Sequence, residues 1–472
     1  MKKISVSILI LIFVVSALML GMGCKNVAVE TTAVAETTAA AETTAAAAET
    51  TAAETKSEEI VTLNFWHHEA PAHRVAAIQT AIDLFEKEFP NIKVKQDVVM
   101  WGDAWTKTLA AVDAGDGPDF QFSIPDLTQS IYRVDALLPV GDLVKELDQK
   151  YNFIDTAVSP FAYKDEYWSV PAWTMMFLLT YRPSLMEKYM GTSEPPKDWV
   201  EYLDYAKKCT DAANGVYGIG LGGAINLMTS EQVYTFMTNT GAKFFDEKGN
   251  VTFNSPETKK AFQMYKDLFQ YTVPGAEAWN WGEIELNLEA GKIVMSPYFP
   301  ALQRRYALEV NTDDYAGVAH PYPADGQPGT IQYPNGIDIY KWTAEKPGHL
   351  EATYEFIRFL YRPENNIYLT AVAEPGGFYP VTEAAMNSPE FWNDPIIKRY
   401  EQVNRAAVDQ LSIATLYGFE YGRWVNLGLG DISGANILAE AANKMLTGGE
   451  SIDDALAWGQ KEMEKYSEPL GQ

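Results

Sequence analysis

The stretch IVTLNFWHHEAPAHRVAAIQTAIDLFEKEFPNIKVKQDVV, residues 60–99, decides the fold. Its first seven residues alternate apolar and polar side chains and include β-branched members, a pattern typical of a strand. Residues 73–89 carry apolar side chains at helical spacing and stop before Pro90, which predicts a helix. Residues 92–99 have the pattern of a second strand. A strand, a helix and a strand in this order predict a βαβ unit in a parallel sheet.

The same alternation continues along the chain, so the fold class that we predict is α/β with helices on both faces of the sheet. We expect strands at residues 120–124, 164–171 and 331–341. We expect helices at residues 105–114, 196–213, 230–241, 255–271, 284–291 and 349–361, followed by a mostly helical C-terminal quarter.

Length, charge and cysteine content exclude several classes of protein. The chain has 472 residues, which predicts more than one domain. Its net charge of −26 excludes a nucleic-acid partner, because such binding needs Lys and Arg to replace phosphate counterions. Only Cys24 and Cys209 are present, so neither a disulfide framework nor a Cys-rich zinc site is expected. A GxGxxG pattern at residues 218–223 lacks a βαβ frame, and we expect no cofactor.

The N-terminal segment has the features of an export signal. Two lysines precede an apolar run over residues 4–22, and a small residue precedes Cys24. The sequence LGMGC at residues 20–24 resembles a bacterial lipobox, so we predict a signal peptide at 1–23 and a lipidated Cys24. An uncleaved membrane anchor is the alternative, since about 20 apolar residues can span a bilayer. Both alternatives place the body outside the cytoplasm.

Residues 24–59 form the predicted link between this anchor and the folded body. The unit Glu-Thr-Thr-Ala recurs there, aromatic residues are absent, and there is little to bury. Such a segment cannot offset its ordering entropy, which predicts a mobile tether. An inert spacer in a glycosylated stalk is the alternative.

Seven short motifs, taken in their order and spacing, resemble the extracellular solute-binding proteins of bacterial ABC sugar importers, the family that includes maltose-binding protein. They are LNFWH (63–67), FEKEFPNIKV (85–94), AGDGPDF (114–120), KDEYWSVP (164–171), PPKDW (195–199), GKIVM (291–295) and GGESIDDAL (448–456). In PPKDW, Asp198 replaces the family's threonine. The resemblance covers nearly all of the chain after residue 59.

The resemblance implies a two-lobe clamshell whose lobes are joined by three chain crossings. Lobe 1 would comprise residues 60–171 and 336–382, and lobe 2 residues 172–335 and 383–472. It further implies a monomer that is not an enzyme, binds a mono- or oligosaccharide between the lobes, and delivers it to an ABC permease in the membrane. A secreted carbohydrate-active hydrolase, or the same fold with iron, a polyamine or a peptide as ligand, are the alternatives.

The chemistry of a sugar indicates which residues to consider for the cleft. Aromatic rings cover its apolar C–H faces, while carboxylates, amides and guanidinium groups bond its hydroxyls. Ligands of open α/β sheets lie beyond the carboxyl ends of strands. From residues near such positions, and from the family's placement of aromatics, the predicted ligand-binding residues are Trp66, His68, Glu69, Asp119, Trp173, Trp279, Trp281, Tyr298, Phe299, Asn335, Gly336, Gly377, Phe378, Arg423 and Trp424.

Several of these residues have a structural alternative at this stage. Trp66 and Trp173 could pack in a core, Asp119 could cap a turn, and Arg423 could form a surface salt bridge. His68 and Glu69, with His73, could also ligate zinc, but no convincing fourth ligand is present and we expect no metal.

Overall fold

The computed structural model describes residues 60–471. The predicted signal peptide, Cys24 and the tether therefore lie outside the described residues. The strands of the described part are β1 (Val61–His67), β2 (Ile92–Val98), β3 (Phe120–Ser123), β4 (Ala162–Tyr163), β5 (Glu166–Tyr167), β6 (Val170–Met176), β7 (Leu178–Tyr181), β8 (Tyr217–Ile219), β9 (Ile293–Tyr298), β10 (Ala316–Val318), β11 (Thr330–Ile339) and β12 (Ala414–Thr415).

Helices fill most of the remaining chain. They are α1 (Ala72–Glu88), α2 (Ala104–Ala114), α3 (Pro125–Arg133), α4 (Gly141–Tyr151), α5 (Asp155–Val158), α6 (Pro183–Met190), α7 (Trp199–Lys208), α8 (Leu227–Thr240), α9 (Pro256–Phe269), α10 (Trp281–Glu289), α11 (Gln303–Arg305), α12 (Lys341–Glu345), α13 (His349–Leu360), α14 (Pro363–Asn366), α15 (Glu383–Met386), α16 (Pro389–Trp392), α17 (Pro395–Arg399), α18 (Glu401–Asp409), α19 (Leu429–Gly434), α20 (Ile437–Leu446) and α21 (Ile452–Tyr466). Short 3₁₀ turns occur at Trp101–Asp103, Ser159–Phe161, Ala212–Asn214, Ala276–Ala278 and Leu411–Ile413, and a π-helical turn at Tyr306–Val310.

The predicted βαβ unit is confirmed by the first sheet. Strand β1 pairs in parallel with β2, with Leu63 opposite Val94, and also with β3, with Phe65 opposite Phe120. The rings of Phe65 and Phe120 stack at 4.7 Å between centroids, so register and core packing agree at this point.

The first sheet is mixed rather than wholly parallel as expected. Its order is β12-β11-β3-β1-β2, and β6 also pairs with β11. Strand β11 runs antiparallel to both β3 and β6. Strand β6 leads the chain towards the second sheet, and β11 brings it back in the opposite direction. The second sheet has the order β10-β7-β9-β8, in which β8 and β9 are parallel.

One connection between the two sheets is very short. A single residue, Phe177, separates β6 in the first sheet from β7 in the second. The segment near Tyr379 pairs with β6 through two backbone hydrogen bonds of 2.9 Å to Thr174. These positions fall near two of the predicted crossings.

Two hydrophobic cores accompany the two sheets. One takes its buried members from residues 63–173 and 337–381. The other takes most of its members from residues 176–333 and 386–463. The bounds of the predicted lobes lie close to these ranges but stay a prediction.

Local capping explains where two predicted helices begin. The side chain of Asp198 accepts a hydrogen bond from the backbone nitrogen of Glu201 at 2.9 Å, so α7 starts at Trp199 and not at residue 196. Asn226 caps α8 in the same way, which starts that helix three residues earlier than expected. Within residues 60–471, no helix has both the length and the apolar character that crossing a bilayer requires.

Candidate functional site

A cavity of about 340 Å³ lies where the ends of strands from both sheets meet. The loop after β1 and the start of α1 form one wall, and helices α8 and α10 form the opposite wall. Residues after β9, on β11 and near residue 378 form the floor. The polar and aromatic side chains of its wall include His68, Glu69, Arg74, Trp101, Glu231, Trp281, Glu285, Phe299, Tyr333, Asn335 and Phe378.

Six of the predicted ligand-binding residues line this cavity. They are His68, Glu69, Trp281, Phe299, Asn335 and Phe378. They come from distant parts of the chain, and the fold brings them together because each follows a strand, starts a helix or lies at a crossing between the sheets.

Three predicted tryptophans are buried in the cores and do not line the cavity. Trp173 is packed edge-on to Phe122 at 4.5 Å. Trp279 is buried in the second core. Trp424 donates its indole hydrogen to the Pro160 oxygen at 2.6 Å. Large aromatic rings gain most from full burial, which explains why an indole in a Gly-rich loop can still point inward.

Asp119 and Arg423 have structural partners away from the cavity. The buried Asp119 carboxylate accepts hydrogen bonds from the Asn64 backbone and from Lys346, each at 2.8 Å. Arg423 donates to the backbone oxygen of Glu247 at 3.2 Å. Trp66 is half-buried on β1 and does not line the cavity.

Tyr298, Gly336 and Gly377 support the walls from behind. The Tyr298 hydroxyl donates to Glu285 at 3.0 Å, which orients that carboxylate. A Cβ atom on Gly336 would lie 2.3 Å from the Ser169 hydroxyl, and one on Gly377 would lie 2.6 Å from the Glu374 side chain. Both glycines are thus required by close packing rather than by approach to a ligand.

Cavity residues that sequence reasoning missed include Arg74, Trp101, Glu231, Glu285 and Tyr333. Trp101 lies three residues after the end of β2, so its position near the end of a strand is a signal that could have found it. Glu285 lies four residues after Trp281 and therefore on the same face of α10. Glu231 lies within a helix of ordinary composition, where no local pattern marks it.

An ion-pair cluster closes one end of the cavity. Arg74 donates to Glu69 at 2.8 Å and to Glu374 at 2.5 Å, and His73 approaches Glu374 at 3.0 Å. Burial raises the pKa of Glu69 even though Arg74 opposes it. Burial acts in the same direction on Glu374, but Arg74 and His73 outweigh it and hold that pKa below its ordinary value. The guanidinium group also lies 4.8 Å from the centre of the Phe378 ring.

His68 is a neutral imidazole on the cavity wall. Its Nδ1 atom lies 2.8 Å from the Val99 carbonyl oxygen, to which it donates, and burial lowers its pKa to about 4. The ring lies 4.2 Å from the ring of Trp101, between centroids. The Nε2 atom is buried and has no hydrogen-bond partner among the described residues.

Glu231 is the most unusual carboxyl group of the cavity. It is 1% exposed, and the Trp281 indole donates to it at 3.3 Å. Burial raises its pKa to about 8. The carboxyl group is therefore mostly protonated at neutral pH in the free protein.

Glu231→Gln tests this protonation through stability. Because the pKa in the folded chain lies above the ordinary value of 4.5, the folded state binds more protons, and the free energy of unfolding falls as pH rises from about 4.5 to about 8. The amide cannot ionise but keeps the acceptor for Trp281. We expect the variant to be more stable than the parent by about 1–3 kcal/mol at pH 8 and equal to it at pH 5, measured by urea unfolding.

Glu390→Gln is the control for this experiment, because Glu390 is exposed on α16. It should change stability at neither pH. A parent protein whose stability relative to Glu231→Gln does not vary with pH would contradict the raised pKa.

A second cavity of about 250 Å³ adjoins the first and shares Trp101, Leu227, Asn280 and Trp281 with it. Trp105 adds a third indole there, and the remaining wall residues are uncharged. Among residues 60–471, no group of three or more His, Cys, Asp or Glu side chains is arranged to hold a metal ion.

Comparisons with known proteins agree with this architecture. The family model for bacterial extracellular solute-binding proteins matches residues 80–399, more than half of the chain. A protein of Escherichia coli (strain K12) that is named as an ABC transporter periplasmic-binding protein is 24% identical over 415 residues, which are 86% of this chain and 93% of that protein. A maltotriose-binding protein of Pyrococcus abyssi is 23% identical over 356 residues, 74% of this chain and 72% of that protein.

Solved structures show the same fold. A maltose-bound protein of T. maritima superimposes with a TM-score of 0.73 at 19% identity, covering 86% of this chain and 99% of that one. A sugar transporter protein of Arthrobacter chlorophenolicus A6 with bound laminaribiose gives a TM-score of 0.72 at 20% identity, with the same coverage. From the family match and the shared two-lobe α/β fold, this chain belongs to the bacterial extracellular solute-binding proteins, which act outside the cytoplasm in ABC transport and are not enzymes.

Proposed function

We propose that this chain captures a carbohydrate in the cavity between its two sheets and delivers it to the permease of an ABC importer. The observation that carries the proposal is the composition of the cavity wall. Two indoles, Trp101 and Trp281, and two phenyl rings, Phe299 and Phe378, alternate with carboxylates and amides. Flat apolar surfaces with polar groups between them match a sugar ring, which has apolar faces and a rim of hydroxyls.

The adjoining cavity supports a ligand of more than one ring. It continues past the shared indoles, and its polar wall groups are the neutral side chains of Asn226, Asn280, Asn436, Thr106 and Ser433. Similar proteins bind maltose and laminaribiose in their solved structures, which adds support for a short oligosaccharide.

Capture requires the ligand to contact both halves of the molecule. Glu69 and Arg74 lie in the first predicted lobe, residues 60–171 with 336–382. Glu231 and Trp281 lie in the second, residues 172–335 with 383–472. Only a ligand with differential affinity for the closed arrangement can shift the equilibrium towards it. A sugar held between these groups would do so.

The same proposal includes attachment to the cell membrane through Cys24. The support is the basic start, apolar run and lipobox-like LGMGC of the first 24 residues. Metabolic labelling with a radioactive fatty acid should mark the parent protein in its bacterial host and leave Cys24→Ser unmarked. Labelling of both forms, or of neither, would contradict the lipid anchor.

Calorimetric titration of the folded body tests the capture of a carbohydrate. The panel comprises monosaccharides, disaccharides and trisaccharides of the glucose, galactose, xylose and arabinose series and their amino derivatives, with amino acids, spermidine and iron as non-carbohydrate probes. We expect binding of at least one carbohydrate and a more compact small-angle scattering profile when it is bound. Binding of a non-carbohydrate probe alone would identify a different solute.

A further inference from the structure

Carboxylates outnumber cations around the cavity. Arg74 is shared between two acids, Glu69 and Glu374. Arg305, behind the opposite wall, is shared among three acids on or beyond α10, namely Glu285, Glu289 and Glu309. With Arg304, which also contacts Glu309, three guanidinium groups thus serve five carboxylates before Glu231 is counted, and His73 is a further partner of Glu374.

Glu231 forms no ion pair within the part of the chain that the structure describes. The indole of Trp281 is its hydrogen-bond donor, at 3.3 Å. Glu231 also interacts electrostatically with four other titratable groups. They are Asp126 on α3, Tyr298 on β9, Tyr333 on β11 and Tyr417 after β12. None of these groups is basic. A carboxylate buried without a cation is costly, so an ionised Glu231 requires a positive charge from elsewhere.

Carboxyl groups are prominent on the cavity wall. Glu69, Glu231 and Glu285 all line it, and burial raises the pKa of each of them. The Trp281 indole is already used by Glu231. The hydroxyl of Tyr333 donates to the buried Asp126 at 2.8 Å.

A protonated amino group matches such a wall better than a hydroxyl group does. It offers three donors and no acceptor, whereas a hydroxyl offers one donor and two acceptor lone pairs. Its positive charge would also stabilise the ionised form of Glu231, which is otherwise costly to bury, and a charge-assisted hydrogen bond is stronger than a neutral one.

We propose that the carbohydrate captured by this chain carries a protonated amino group, which Glu231 binds in an ion pair across from Arg74. The proposal deepens the proposed function and rests on it. The ligand class is an amino sugar, free or at one end of a short oligosaccharide. One face of the sugar ring packs against the Trp281 indole, while the ammonium group of the sugar contacts the Glu231 carboxylate.

Binding of the ammonium group transfers one proton to solvent. The free protein holds Glu231 mostly as the neutral acid at pH 7. The ammonium ion keeps its own protons, so pairing requires the Glu231 carboxyl to lose its proton to the buffer. The measured heat of binding therefore depends on the ionisation enthalpy of the buffer, with close to one proton released per ligand.

Matched sugars test the proposal by calorimetry at pH 7. Glucosamine is compared with glucose and N-acetylglucosamine, galactosamine with galactose, and the disaccharide of glucosamine with that of N-acetylglucosamine. We expect the amino form of the preferred series to bind at least 10-fold more tightly than either neutral form, with proton release for the amino form alone. Glu231→Gln should abolish both the preference and the proton release, and Glu390→Gln should change neither.

The outcomes separate this proposal from the proposed function. Equal or tighter binding of the neutral sugars, or an amino preference that survives in Glu231→Gln, would overturn the amino-sugar proposal and leave carbohydrate capture intact. Binding of spermidine with no binding of any sugar would overturn both, as would the absence of heat from every carbohydrate. The stability of Glu231→Gln at pH 8, measured in parallel, shows that a loss of binding is not a loss of folding.

Discussion

Arg74→Met should lower the free energy of unfolding by about 3–5 kcal/mol at pH 7.5, because it removes the guanidinium group shared by two buried carboxylates, of which Glu374 keeps only His73 as a partner. Glu69 and Glu374 are 4% and 5% exposed, and both hydrogen-bond to this guanidinium group. Methionine has a similar apolar stem, so the packing over Phe378 is largely retained. Urea unfolding followed by Trp fluorescence measures the effect.

The loss of unfolding free energy in Arg74→Met should become smaller as pH falls. Without the arginine, burial raises the pKa of Glu69 further above that of the unfolded chain, while His73 still opposes the effect of burial on Glu374. Glu69 then binds a proton more readily in the folded state, and the penalty decreases as pH falls towards 5. A penalty that stays constant between pH 7.5 and pH 5 would show that lost packing, and not unpaired charge, causes the destabilisation.

Arg358→Met is the matched control. Arg358 on α13 also contacts several carboxylates, with Glu146 at 2.8 Å and Glu355 at 2.7 Å, but these acids are 52% and 33% exposed. Exposed ion pairs contribute little, so the expected change is below about 1 kcal/mol. If the two variants lose equal stability, burial of the Arg74 cluster has no special energetic role.

Trp281→Ala should weaken binding of the best carbohydrate found by calorimetry by about 2–4 kcal/mol, or roughly 30- to 700-fold in Kd. The indole is a wall of both cavities, and its nitrogen is the hydrogen-bond donor to Glu231. Truncation removes the aromatic surface and the donor together. Trp281→Phe restores the surface but not the donor, and should lie between the parent and alanine.

Trp458→Ala is the control for loss of an indole. Trp458 lies on α21, where the Lys444 ammonium group is 4.6 Å from its ring, and it lines neither cavity. The Kd of Trp458→Ala for the same carbohydrate should equal that of the parent protein. Parent-like affinity in Trp281→Ala, with the melting temperature unchanged, would remove Trp281 from the binding site.

The sequence predicts the periodic part of this molecule well. The bounds of β1, α1, β2 and α13 fall within about two residues of those expected, because alternation and helical spacing are local signals. The direction of β11 is a different matter. It depends on where the chain returns from the second sheet, which no local pattern encodes.

The candidate site was only partly predictable for the same reason. Residues directly after strands or at helix starts, such as His68 and Trp281, could be selected by position. Trp424 shows the weakness of composition as a guide, since a Gly-rich loop turns its indole into the core beside Tyr163. Glu231 shows the opposite case, because its importance comes from burial by neighbours that are distant in sequence.

The position of the Phe378 ring links the cavity to the joint between the two sheets. One face of it meets the Arg74 guanidinium, the Trp173 indole stacks on it at 5.2 Å, and the next residue, Tyr379, is bonded to β6 immediately before the chain passes into the second sheet. Phe378 therefore lies both on the cavity wall and beside the segment that joins the two sheets, so we expect a ligand that shifts this ring to change the angle between the two predicted lobes.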